Sequence, residues 1–164
     1  SSGYISPTAG QAGGTALYTR VYVNLTYGAA AKLRGGGGGG GGSATGDGSD
    51  LVGGGGGGGA GTIVGPAGPA GTGTQTAEAG QPGTAETGGL GGRSWTKNTP
   101  FGFAKLDSNY RGGTGGNIGL AGSDGADQYS HSGASGGAAG KAIDGVSYVA
   151  QSGTPASLLG GQVN

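Results

Sequence analysis

The sequence predicts an irregular, glycine-rich fold: a bundle of polyglycine or polyproline-II helices, with a few β-strands at the N- and C-terminal ends and almost no α-helix. Of the 164 residues, 49 are Gly and 6 are Pro, whereas Leu, Ile, Val and Phe together number only 22. An apolar core of ordinary size is therefore out of reach. The glycines also follow a three-residue period, which is the repeat of the polyproline-II helix.

The period is clearest in the middle of the chain. Every position of the series 113, 116, 119, 122 and 125 is Gly, and residues 35–42 and 53–59 are unbroken Gly. Without a Cβ, neighbouring chains come close enough for dense backbone hydrogen bonding and Cα–H···O contacts. These contacts must offset the large conformational entropy that Gly loses on ordering. Collagen, the rival architecture of the same period, is disfavoured because the GPAGPAG run at 65–71 stops at Thr72 and Pro is scarce elsewhere.

Conventional strands are expected on both sides of the glycine. Residues 15–27 (TALYTRVYVNLTY) alternate with period two and are rich in β-branched and aromatic residues, which predicts a strand. A second strand is expected over 142–149, interrupted at Asp144–Gly145, and we expect the two to pair. The predicted organisation is a strand segment for attachment at 1–34, a glycine bundle at 35–141 with loops at 43–50, 93–111 and 126–132, and a C-terminal strand and tail at 142–164. Further turns are expected at the threonines 72, 74 and 76.

Composition argues against several classes of function. The eight cationic and eight acidic residues balance, so there is no electrostatic reason to expect nucleic acid as a partner. The chain lacks Cys, has a single histidine and has scattered carboxylates, so no catalytic arrangement is indicated and the chain is predicted not to be an enzyme. No metal or cofactor is predicted. The GDGSDLV run at 46–52 resembles one copy of a calcium-binding repeat, but one copy cannot stack and an Asx turn is favoured. Because the chain begins at Ser1 and lacks Met, we expect a processed product or a fragment.

Two islands of larger side chains interrupt the glycine. Residues 93–111 hold the only Trp, both Phe and four of the eight cations, and residues 126–132 hold a Tyr and the only His. Loops on a rigid scaffold often carry binding residues, and Trp, Tyr and Arg are frequent interface anchors. The alternative is that the aromatic side chains form a small local core over the glycine layer. The candidate binding residues are Arg93, Trp95, Lys97, Phe101, Phe103, Lys105, Tyr110, Arg111, Tyr129 and His131.

The order of these pieces resembles a known family. Polyglycine blocks come first, among them GGGGGGGAGTIVGPAG, and the aromatic island follows. After it come the run GGTGGNIGLAGSDG and the ending GGAAGKAIDGVSYV…SGTPASLLGGQVN. In this order they resemble the glycine-rich distal domains of tailed-bacteriophage tail fibres. The resemblance implies a virion protein at the distal end of a tail fibre, whose loops 43–50, 93–111 and 126–132 bind a host outer-membrane protein or a surface glycan. It also implies that the N-terminal strand region attaches to the remainder of the fibre, as a single copy or as a homotrimer.

Two other functions fit a glycine-rich bundle. An ice-binding protein would present a flat and regular face of small residues, and the bulky charged island at 93–111 speaks against it. A structural subunit of an extracellular filament would self-assemble and would bind no receptor.

Overall fold

The computed structural model describes residues 7–45, 52–71, 75–98, 103–128 and 131–164. Within these ranges the only helix is a short 3-10 turn at Val146–Tyr148, and the strands are few and short. The expectation of a mostly irregular chain that is almost without helix is confirmed. In the same ranges, no helix is long and apolar enough to cross a membrane.

Nine short strands form four small sheets in the described part of the chain. In chain order they are β1 (Leu17–Tyr18), β2 (Val23–Thr26), β3 (Lys32–Arg34), β4 (Arg93–Asn98), β5 (Phe103–Arg111), β6 (Ile143–Asp144), β7 (Val149–Ser152), β8 (Ser157–Leu159) and β9 (Gln162–Val163). Three sheets are parallel and join the N-terminal strands to the C-terminal ones: β1 with β6 and β9, β2 with β7, and β3 with β8. The expected pairing of the two terminal regions is therefore confirmed. The fully buried side chain of Ile143 lies in this layer.

The single strand predicted over 15–27 is wrong, because the chain breaks between β1 and β2. The hydroxyl of Thr19 donates to the carbonyl of Val21 at 2.8 Å and accepts from the N–H of Val21 at 3.2 Å. A side chain that bonds its own neighbouring backbone competes with the strand ladder. After the break, β2 recovers the predicted alternation, with Val23 and Leu25 more buried than Asn24 and Thr26.

The placement of strands only at the two chain ends is also wrong. Strands β4 and β5 form an antiparallel hairpin in the middle of the chain, with Trp95 opposite Leu106 and Thr96 opposite Lys105. This region contains a single Gly, unlike its surroundings, and is rich in β-prone aromatic residues and Thr, so it forms an ordinary ladder. The predicted loop at 93–111 is therefore mostly a hairpin.

The glycine-rich segments bond to each other through the backbone, and the bonds recur every third residue. Residues 35–44 and 53–61, the two inner tracts, lie at the centre of this network. N–H groups of the first inner tract go in rotation to three neighbouring segments: residues 36, 39 and 42 to 8–14, residues 37, 40 and 43 to 54–60, and residues 38, 41 and 44 to 120–126. Most of these donor–acceptor distances lie between 2.7 and 3.1 Å. The three-residue period of the sequence is thus also the period of the hydrogen bonds.

The interior of this network consists of backbone with few large side chains. The buried apolar residues described are four Ala, one Val and one Ile. Glycine is required because the segments touch: a Cβ on Gly57 would collide with the carbonyl oxygen of Gly89, and one on Gly40 with that of Gly113. Contacts of this kind set the distance between segments.

These hydrogen-bonded segments, which we call the bundle, have two ends. At the strand end, Gly35 donates its N–H to the carbonyl of Leu159 in β8 at 2.9 Å. At the other end, Ser43 and Ala44 donate to Gly54 and Ala126 at 3.1 Å each. We call this second end the loop end, because the described parts of the predicted loops 43–50, 93–111 and 126–132 adjoin it.

Candidate functional site

A pair of buried serines joins the predicted loops at the loop end. The hydroxyls of Ser43 and Ser94 lie 2.6 Å apart, and both accept from the N–H of Gly54, at 2.7 and 3.1 Å. Ser43 is 2% exposed and Ser94 is fully buried. Three segments are therefore held together by side chains small enough to fit among glycines.

Trp95 is fixed through its backbone. It exchanges two backbone hydrogen bonds with Val52, at 2.8 and 3.0 Å, and Val52 itself is 2% exposed. The indole ring is half-buried, and its Nε1–H is buried without an acceptor in the described part of the chain. Trp95 therefore has a main chain fixed by hydrogen bonds and a side-chain N–H donor that is unsatisfied in the described ranges.

Arg93 makes an ion pair with Glu78. Its guanidinium donates to both carboxylate oxygens, with Nε 2.8 Å from Oε2, and its backbone N–H donates to Oε2 at 3.2 Å. These bonds lower the pKa of Glu78 from 4.5 to about 2. The Arg93 guanidinium therefore fastens the start of the hairpin to residues 75–84, which leaves it less free for an external ligand.

We expect this pair to make stability depend on pH. Because the folded-state pKa of Glu78 is lowered, its contribution is present above the unfolded pKa of about 4.5 and is lost as the pH falls through about 2. The Glu78→Gln variant should melt at a lower temperature than the parent at pH 7, and the difference should shrink below pH 4.5 and vanish near pH 2. Melting curves from pH 7 to pH 2 measure this. A difference that stays constant over the whole range would contradict it.

The second strand of the hairpin presents a cation to solvent. The Lys105 side chain is 57% exposed, with its Nζ 3.7 Å from a carboxylate oxygen of Asp107. Tyr110 and Arg111 are half-buried, and the Nε of Arg111 is a second buried donor without a partner among the described residues. The carbonyl of Arg111 accepts from the N–H of Ala126 at 2.8 Å, which ties the hairpin to the third predicted loop.

The third loop region contains a residue that the sequence did not single out. Gln128 is fully buried, and neither its amide oxygen nor its amide nitrogen has a hydrogen-bond partner in the described ranges. Its backbone exchanges two 2.9 Å hydrogen bonds with His131, which is half-buried. Asp127 closes the same turn by accepting from the N–H of Gly133 at 2.8 Å. A buried side-chain amide whose donors and acceptor are unsatisfied is rare. Nothing in the local sequence pattern indicates that Gln128 would be buried in this way.

The structure thus brings the described candidates to one end of the bundle. Arg93, Trp95, Lys105, Tyr110 and Arg111 belong to the hairpin, and His131 adjoins it through Ala126 and Gln128. The backbones of Lys97 and Phe103 lie in the same hairpin. Phe101, Tyr129, the predicted loop residues 46–50 and the predicted turn residues 72 and 74 lie outside the described residues. Among the described residues, no group of three His, Asp or Glu could hold a metal ion.

Comparison with known proteins identifies relatives of this chain. Residues 1–163 match the model of the phage tail fibre adhesin Gp38 family. No curated protein matches the sequence significantly. Among solved structures, the chain is similar to the crystal structure of the gp37-gp38 adhesin tip complex of the bacteriophage S16 long tail fiber, with a TM-score of 0.61 and 24% identity.

The extent of these matches decides what they show. The structural similarity covers 94% of this chain and 50% of the solved chain, so this chain spans half the length of that relative. At 24% identity, the likeness shows a shared fold. The family model, by contrast, extends over nearly the whole sequence. The chain belongs to the Gp38 family of phage tail fibre adhesins, and it is a component of the virion, located at the tail fibre.

Proposed function

We propose that this chain recognises a host bacterial surface receptor through its loop end, without catalysis. One observation carries the proposal. The described parts of the islands at 93–111 and 126–132, which are rich in large side chains, adjoin one end of the bundle. Hydrogen bonds between Ser43, Ser94 and Gly54 hold that end together, as does the Arg93–Glu78 ion pair. A binding surface that is rigid before contact loses little conformational entropy on binding.

We further propose that the scaffold is a bundle of polyglycine-II helices. The backbone hydrogen bonds of the inner tracts change partner segment with each residue and return to the same segment after three, which is the symmetry of a threefold helix. A polyproline-II-like helix is left-handed with three residues per turn, so its circular dichroism spectrum should differ from that of a β-sheet. A spectrum of ordinary β-sheet from the purified chain would overturn this part of the proposal.

The receptor proposal is tested by the binding of labelled chain to a panel of bacterial strains. We expect saturable binding to a few strains, competed by unlabelled chain, and protease treatment of the cells then separates an outer-membrane protein from a glycan. Binding to no strain in a broad panel would favour the filament alternative, as would fibres formed by the purified chain.

A charge reversal at each end locates the binding surface. Lys105→Glu changes an exposed cation at the loop end, and Lys32→Glu changes one in β3 at the strand end. We expect Lys105→Glu to weaken cell binding about tenfold, because reversing a charge that faces the receptor disrupts electrostatic complementarity. We expect Lys32→Glu to leave cell binding unchanged. Equal losses in the two variants, measured by titration on cells, would contradict the assignment of the loop end.

We propose that the strand end attaches the chain to the remainder of the fibre. Tyr18, Val21 and Tyr22 are 66%, 68% and 86% exposed there, which is unusual for large apolar side chains. The ring of Tyr22 packs edge-on against the ring of Tyr148, with the ring centroids 5.6 Å apart, so this exposed surface has a defined side-chain contact. Co-sedimentation of the labelled chain with the fibre protein tests attachment, and the stoichiometry of the complex distinguishes one copy from a homotrimer.

A further inference from the structure

The two inner tracts are surrounded by hydrogen-bonded segments except on one side, where a segment is missing among the described residues. The tracts bond to each other, and on one side both also bond residues 111–119. On the opposite side, residues 7–14 bond only the first tract and residues 65–71 only the second. No backbone hydrogen bond joins these two outer segments to each other in the described ranges. Between them runs a groove of about 520 Å³, whose floor is the glycine of both inner tracts.

The floor of the groove carries backbone groups without partners. In the second inner tract, residues 55, 58 and 61 donate to 78–84, and residues 57 and 60 donate to 113–116. Gly56 and Gly59 complete this three-residue rotation, yet their N–H groups have no acceptor among the described residues, although both glycines are buried. Both line the groove. An N–H group that faces an open groove is a free donor, which either water or a bound chain can satisfy.

The facing tract offers unused acceptors. The carbonyl groups of Gly37 and Gly40 accept from no N–H in the described part of the chain, whereas those of Gly36 and Gly39 accept from 140 and 137. Both unused carbonyls touch the Cα positions of the opposite tract, so that a Cβ on Gly59 or Gly56 would collide with them. These carbonyls face the opposite tract, so the groups that the groove offers to a ligand are the N–H groups of Gly56 and Gly59, three residues apart.

The walls restrict what could fill the groove. They consist of uncharged residues, with Ala9 and Ala12 on one side and Ala67 and Pro69 on the other. No Lys, Arg, Asp or Glu lines the groove, so its side chains supply no charge to pair with an ionic ligand. The floor from Gly53 to Gly59 extends about 20 Å at the polyproline-II rise, which is the length of six or seven extended residues.

We propose that this groove binds one extended, glycine-rich strand of a partner polypeptide. Carbonyl groups three residues apart in the partner accept from the N–H groups of Gly56 and Gly59. The bound strand lies between residues 7–14 and 65–71 and packs against the inner tracts as the other segments do. The partner needs Gly or another small residue at every third position, because the glycine floor approaches too closely for a larger side chain. The bound strand closes the ring of segments around the two inner tracts.

A peptide titration tests the proposal. The probe is a fluorescent peptide of about twelve residues with a Gly-Gly-Ser repeat and a lysine at each end, a length that covers the floor. The control peptide carries Gln at every position of the repeat, so that no frame offers a small residue at every third position. We expect saturable binding of the Gly-Gly-Ser peptide by fluorescence anisotropy, at least about tenfold tighter than that of the control, together with slower hydrogen exchange at Gly56 and Gly59.

Variants in the walls connect the binding to the groove. Ala12→Leu and Ala67→Leu, each made separately, narrow the groove from opposite sides and should weaken peptide binding about tenfold. Ala138→Leu is the matched control, because Ala138 is exposed and does not line the groove. Circular dichroism identifies any variant that fails to fold, and the other wall variant then carries the test. Absence of saturable binding, equal binding of the two peptides or full binding by a folded wall variant would overturn the proposal. Concentration-dependent dimers in which Gly56 and Gly59 become protected would assign the groove to a second copy and overturn it as well.

Discussion

Replacing Gly57 with alanine is expected to prevent folding of the bundle. The new Cβ would collide with the carbonyl oxygen of Gly89 and would also press on the backbone of residue 115. Overpacking an ordinary core costs about 1–3 kcal/mol because side chains can shift, but here the obstacle is main chain that is hydrogen-bonded on several sides. We therefore expect a loss of more than about 3 kcal/mol in the free energy of unfolding, measured by chemical denaturation.

Gly14→Ala is the matched control for this prediction. A Cβ on Gly14 would meet nothing within 4 Å, although this glycine belongs to the same bundle and its carbonyl accepts from Gly36 at 2.8 Å. We expect its free energy of unfolding to be unchanged or raised by about 0.4–1 kcal/mol, because alanine reduces the entropy of the unfolded chain. If both variants lose stability equally, intrinsic conformational preference and not close packing explains the glycine content.

Replacing Trp95 with alanine is expected to weaken cell binding about thirtyfold. This corresponds to about 2 kcal/mol, the effect of removing a central aromatic anchor from an interface. The fold should survive, because the residue is held through the Trp95–Val52 backbone bonds, which alanine retains, and the ring is only half-buried. Binding to a susceptible strain and thermal melting are measured on the same preparation. Unfolding of the variant would instead identify the aromatic island as a local core.

The Trp95→Phe variant separates the ring from its N–H group. Nε1 of Trp95 is buried without an acceptor in the described ranges, so phenylalanine removes an unsatisfied donor and should keep or raise the melting temperature. Because this N–H is buried, the receptor would meet the ring through apolar contact, so Trp95→Phe should bind nearly as tightly as the parent. Affinity equal to that of the parent would assign the contribution of Trp95 to apolar contact alone.

The sequence predicted the repeat of the scaffold but could not predict its partners. Glycine at every third position indicates a threefold arrangement of backbone bonds, and the hydrogen bonds have this period. Which segment bonds which is a different question, because a tract such as 53–59 is identical in every register. The register is set by rare side chains at the loop end, such as Ser43 and Ser94, which bond Gly54. Two serines in a chain of small residues carry no recognisable signal.

The candidate site, too, was predicted only in part, because several of its contacts depend on packing that leaves no signal in the sequence. The density of large side chains in 93–111 indicated the site, but it was interpreted as a loop, although Ser94 and Thr96 are buried and Trp95 between them is less so, as in a strand. Glu78 was missed because its partner Arg93 lies fifteen residues away, across a glycine-rich stretch without secondary structure. Gln128 was missed because burial of a polar amide depends on the final packing.

An interior made of main chain alters how stability responds to temperature. Unfolding an ordinary protein exposes hydrocarbon to water, which raises the heat capacity, whereas exposing peptide groups lowers it. In this chain the buried surface is mostly peptide, since the apolar core is a few Ala with one Val and one Ile. The heat capacity change on unfolding should therefore fall below the usual value of about 12–15 cal/mol/K per residue, and the free energy of unfolding should vary little between cold and warm conditions. The loop end that we propose to bind the receptor would then keep nearly the same stability over a wide range of temperature.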